Sequence, residues 1–154
     1  ARLWGTETFL AVRLNRQWSA ATQFSYTQGK DMTHRWPLQA VPPGRLVQSF
    51  RWDGRYSGIK SFPLWVELSC TYRMRQNRIA RDWDKERMKT PGVTLWDIRS
   101  GVELPPSLGG KKTECFFAVT NITNKRYTEV PLYDGYDLLK LPGRSATLGV
   151  KLAF

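Results

Sequence analysis

At 154 residues the chain is long enough for one ordinary domain. It is strongly basic, with 24 Lys and Arg against 13 Asp and Glu (24 − 13 = 11), and aromatics make up 13% of it. That charge points to nucleic acid, anionic lipid or acidic ligands, or simply to a solvated basic surface. No apolar run approaches the roughly 18 residues a spanning helix requires, and Ala1–Gly5 carries no apolar signal-peptide stretch. Membrane strands of about 9–11 tilted residues survive both exclusions.

Seven segments alternate with period two and are predicted as strands: Leu3–Leu14, Gln17–Thr27, Arg45–Gly54, Pro63–Arg75, Val93–Leu104, Thr113–Asn121 and Ser145–Phe154. In the second, Trp18, Ala20, Thr22, Phe24 and Tyr26 share a face. The third sets Leu46, Gln48, Phe50 and Trp52 against Val47, Ser49 and Arg51. The fourth sets Leu64, Val66, Leu68, Cys70, Tyr72 and Met74 against Trp65, Glu67, Ser69, Thr71, Arg73 and Arg75. In the last, the even positions from Ala146 to Phe154 are apolar, and Thr147, Gly149 and Lys151 oppose them. The even side of these ribbons reads as hydrocarbon-solvated and the opposite side as polar. No segment carries a helical period. Cys70 and Cys115 match no zinc spacing and read as free thiols.

Short links around Asn15-Arg16, Arg55–Phe62 and Pro105–Lys112 take turns with long ones over Gly29–Gly44, Gln76–Gly92 and Ile122–Gly143. Brief turns on one rim and long loops on the other mark an antiparallel transmembrane β-barrel, an all-β fold class. If every link is a hairpin, the first and seventh strands run the same way and cannot close an all-antiparallel barrel on each other. An unpaired edge in a bilayer costs several kcal/mol per polar group. The segment is therefore expected to be one piece of a larger barrel, with a missed strand and a small closed barrel as the alternative.

Specific stretches resemble a known family. Val119-Thr120-Asn121-Ile122-Thr123-Asn124-Lys125-Arg126-Tyr127 is similar to the "v-x-N-l-f-d-k-r-Y" stretch near the end of TonB-dependent outer-membrane receptors, and Pro142-Gly143-Arg144 and a last strand ending in Phe154 follow as in that family. Gly5-Thr6-Glu7 resembles its "G-x-E" strand, Val41-Pro42-Pro43-Gly44-Arg45 its "i-P-P-x-r", and Thr90–Asp97 its "t-P-g-y-t-l-x-d". Ile122-Thr123 in place of "l-f", and Val93 in place of the aromatic, depart from the pattern. The resemblance implies a barrel of about 22 strands, this chain supplying about the last seven, in the outer membrane of a Gram-negative bacterium. It implies as partners the remaining barrel strands and a plug, TonB acting through an N-terminal part absent from this sequence, lipopolysaccharide, and a small metal-chelate ligand such as a ferric siderophore or haem. Phe154 matches the C-terminal aromatic read by the barrel-assembly machinery.

With the long loops outside, Arg73, Arg75, Arg78, Arg81, Lys85, Arg87 and Lys89 sit at or above the outer rim, interleaved with Asp82, Asp84 and Glu86. They serve either to focus an anionic ligand or to meet lipopolysaccharide phosphates and solvent. Strand parity directs Arg73 and Arg75 into the lumen, which makes them the stronger ligand candidates. Met32 and His34 offer a soft metal or a haem edge two donors, or are ordinary loop residues. Trp83, Tyr133 and Tyr136 are candidates for stacking on a chelator, and Trp4, Trp18, Trp52 and Trp96 for interface anchoring.

No catalytic motif appears, no cofactor is implied, and the chain is not expected to be an enzyme. Nucleic acid is disfavoured because the aromatics keep to the apolar faces rather than mixing with Lys and Arg. The rivals to a receptor barrel are a passive outer-membrane pore and a soluble β-sandwich binding module.

Overall fold

The computed structural model describes residues 1–38, 41–57, 61–78, 89–104, 113–128 and 141–152. Seven strands run β1 Arg2–Arg13, β2 Trp18–Lys30, β3 Arg45–Ser57, β4 Ser61–Arg73, β5 Val93–Leu104, β6 Thr113–Thr120 and β7 Ser145–Leu152. They form one sheet in the order β1-β2-β3-β4-β5-β6-β7, every neighbouring pair antiparallel. The fold is all-β, an antiparallel meander of the transmembrane-barrel type. β1 and β7 are its two edges and run in the same direction.

The turn between β1 and β2 is described in full. In it the Asn15 side-chain oxygen accepts the Gln17 and Trp18 amides at 2.8 and 2.9 Å, an Asx turn that reverses the chain within a few residues. Asn121 and Asn124 take φ of 51° and 53° after β6, left-handed conformations that Asn tolerates better than most residues.

Paired residues point to the same face of a sheet, so the register sorts every side chain. One face carries Trp4, Leu10, Phe24, Phe50, Leu68 and Ile98, among others; the opposite one carries Glu7, Gln23, Arg51, Glu67, Asp97 and Arg99. In β6 the parity inverts. Ile98 pairs with Val119 and Phe117 with Leu148, so the odd residues Cys115, Phe117 and Val119 join the apolar face. The expectation of an even apolar side fails for that strand alone.

No second layer covers the apolar face among the described residues. Leu10 is 61% exposed, Phe50 51% and Leu148 78%, and among the described residues the only buried hydrophobic ones are Val41 and Leu95. A β-sandwich would bury those side chains against a facing sheet. This face is built for a solvent of hydrocarbon. Cys70 and Cys115 are free thiols on it.

The strands are staggered as well. β3 starts opposite Ser25, five residues short of Lys30, where β2 ends (30 − 25 = 5). Arg45, Arg73 and Val93 are level with one another. Because Ile98 faces Val119, Thr120 is level with Asp97, four residues in from Val93 (97 − 93 = 4). Both steps go the same way, the offset that strands tilted by roughly 35–45° to a barrel axis require.

Candidate functional site

The polar face is an ordered wall. Its short-turn half carries Arg51, Glu67 and Arg99 in one cross-strand row. Arg51 closes back on Asp53, its Nε and Nη2 donating to Oδ1 at 3.0 and 2.9 Å. The same guanidinium lies 4.4 Å from the centre of the Trp65 ring. Trp65 lies across Gly101 of the next strand and donates its indole N–H to Glu114 at 3.2 Å. Phe116 covers Gly149 in the same manner. Two large rings thus lie flat on the wall because the residue opposite each has no side chain to hold them off.

At the long-loop rim the segments beyond the strands are stitched together. The Gln76 amide donates to the Val41 carbonyl at 2.7 Å, and Gln76 and Thr90 exchange backbone hydrogen bonds at 2.9 and 3.1 Å. Arg78 donates to the Thr27 carbonyl at 3.1 Å and stands 5.2 Å over the Tyr26 ring. The segment after β6 is pinned where the Asp97 carboxylate accepts the Asn121 amide at 2.7 Å, and Asn121 and Lys125 exchange two more bonds. That segment brings Tyr127 within 5.5 Å of the Arg73 guanidinium. Below them Thr71 and Leu95 are paired and buried on the polar face.

Arg73 is the last residue of β4, half-buried on the polar face opposite Arg45. Its placement agrees with strand parity. Arg75 lies two residues past the end of β4 and is exposed. His34 belongs to a tight turn: Asp31 Oδ2 binds its Nδ1 at 2.9 Å, Asp31 Oδ1 accepts the Thr33 amide, and the imidazole rests on Trp36. The carboxylate of Asp31 is held below its ordinary value by the His34 hydrogen bond first and the Thr33 amide second. Among the described residues no three His, Cys, Asp or Glu side chains converge as metal ligands.

Trp83, Tyr133, Tyr136 and Phe154 lie outside the described residues, as do Arg81, Asp82, Asp84, Lys85, Glu86 and Arg87. Trp4 and Trp18 stand near strand ends on the apolar face, as interface anchors do. Trp52, the cross-strand partner of Trp18, and Trp96, the fourth residue of β5, share that face. Arg45 was missed by the reading of the sequence, because only the β3–β4 register sets it beside Arg73.

The fold and the two-faced wall define a segment of a transmembrane β-barrel. Among solved structures, that of the copper transporter OprC superposes with a TM-score of 0.80 over 99% of this chain, at 18% identity. The match takes in 23% of that chain, so this one spans about a quarter of its length. At that identity the likeness shows the fold. No family model and no curated protein matches the sequence.

Proposed function

We propose that this chain forms part of the wall of an outer-membrane barrel that takes up a scarce metal complex, with its long-loop rim facing the exterior. The carrying observation is the sheet itself: one exposed apolar face, one ordered polar face, and the stagger of tilted strands. The copper transporter that shares the fold supports transport as the activity. The resemblance of the Asn121–Tyr127 and Val41–Arg45 stretches to TonB-dependent receptors supports energised uptake, with a plug and further strands completing the machine and lipopolysaccharide around it. The cargo we favour is a ferric siderophore, haem or another metal complex, copper included. The segment's part is wall and mouth, with no covalent chemistry of its own.

Uptake of radiolabelled copper, ferric siderophore and haem by metal-limited cells tests the reading, comparing cells with and without this segment in its complete protein. Uptake of one cargo should need the segment and stop when a protonophore collapses the proton-motive force. Uptake that persists after that collapse would establish a passive pore instead.

A further inference from the structure

At the long-loop rim the apolar face of the first hairpin ends in two cations. Arg2 and Lys30 are directly opposed on that face, two residues beyond the Trp4 and Gln28 pair. Opposed like charges destabilise a strand pair, and both side chains are exposed. Neither makes an ion pair among the described residues. The acid next in sequence, Asp31, is taken up by the His34 ring and the Thr33 amide. With Trp4 and Met32 the two cations line an open recess of about 420 Å³, and both apolar side chains are more than half exposed. The loop after β2 folds over the opposite face, where Leu38 and Val41 pack against Gly29. From Trp4 to Leu14, whose amide bonds the Trp18 carbonyl, the chain spans ten residues (14 − 4 = 10). At about 3.3 Å per residue and a tilt of about 40°, that is a rise of roughly 25 Å, the height of a barrel's apolar band. Trp4 and Trp18 bound this band, and Arg2 and Lys30 lie just outside it, at the level of lipid headgroups.

We propose that Arg2 and Lys30, with the Trp4 indole and the Met32 thioether, form a docking site for the phosphorylated headgroup of a lipid in the surrounding leaflet. One phosphate group between the two cations gains charge-assisted hydrogen bonds from both and relieves the repulsion of the empty pair. The charges continue an apolar face, so a phosphate joined to hydrocarbon meets the whole recess. A free anion meets the cations alone and leaves Trp4 and Met32 in water. On the transport reading this leaflet is the outer one and the lipid is lipopolysaccharide. The site rests on that reading for the identity of the lipid, and on strand parity for its place outside the barrel.

The test titrates the complete barrel, in non-ionic detergent micelles at low ionic strength, with lipid A carrying its phosphates, with dephosphorylated lipid A and with inorganic phosphate. Calorimetry should show a saturable step for the phosphorylated lipid, weakened about tenfold or more in the double variant R2Q/K30Q. The K151Q variant, which loses one charge near the far end of β7, should bind as the parent does. Without lipid, R2Q/K30Q should melt no lower than the parent; a lower value would mean that the pair is already satisfied and would overturn the site. Phosphorylated lipid should raise the melting temperature of the parent more than that of the double variant. Undiminished binding in R2Q/K30Q, equal weakening in K151Q, or equal binding of the dephosphorylated lipid would each overturn it as well. Saturable binding of inorganic phosphate that is lost in R2Q/K30Q would assign the cations to a free anion and overturn the lipid. Intact metal uptake without the lipid step removes this site alone, whereas loss of the transport reading leaves a positive lipid titration standing.

Discussion

Gln48 is a polar side chain on the apolar face, between Thr22 and Cys70 and three residues in from the outer end of β3. An amide facing hydrocarbon without a partner costs on the order of 1 kcal/mol or more. Gln48→Leu should therefore raise the unfolding free energy in lipid vesicles by about 1 kcal/mol, read from urea titration. A loss of stability would show that this face meets water. Asp31 tests the loop after β2 by pH. Its depressed carboxylate contributes stability that is fully present above the ordinary value of 3.8 and is lost as the pH falls through the lower value it takes in the turn. The amide and indole signals of Thr33 and Trp36 should shift together over that acid range. In Asp31→Asn the transition should vanish, because the ionisable group is gone.

Among the elements, the glycines opposite Trp65 and Phe116 decide how the polar wall is surfaced. A side chain at Gly101 would occupy the space of the Trp65 indole. Gly101→Val should lift that ring, break its bond to Glu114 and cost about 1–3 kcal/mol, with the Trp65 indole N–H resonance moving to a solvent-exposed position. An unmoved resonance would mean that the ring does not lie on the glycine. The strands themselves were legible because a wall between two solvents writes period two into the chain, as in Leu64–Tyr72. Their ends were not. β2 continues past Thr27 to Lys30 because β1 supplies partners out to Arg2, and β4 stops at Arg73 because its neighbours do. Strand limits belong to partners as much as to local sequence. The β6 face was hidden for the same reason: Phe116 and Phe117 are both large and apolar, and only pairing with Gly149 and Leu148 separates them. Arg45 shows how far this reaches, since one step of register would put it on the face away from Arg73.

For the whole molecule, the decisive property is which solvent meets each face. β1 and β7 run in parallel at the two edges of the sheet, so an all-antiparallel closure needs further strands, odd in number, between them. Two copies in the same orientation would meet only through parallel seams. Neighbouring residues at the middle of β4 report the solvents directly. Leu68 lies on the apolar face beside Phe50 and Ile98, and Ser69 lies on the polar face beside Ser49 and Asp97. In a bilayer, Leu68→Arg should cost about 2–4 kcal/mol, the penalty for a cation in the hydrocarbon of a barrel wall. Ser69→Arg should cost less than about 1 kcal/mol, with water and the Asp97 carboxylate to solvate it. The two variants carry the same added charge one residue apart, so non-specific repulsion cancels in the comparison. Urea titration of the complete barrel in vesicles measures both. Equal costs, or the larger one at Ser69, would remove the hydrocarbon from the apolar face and the transport reading with it.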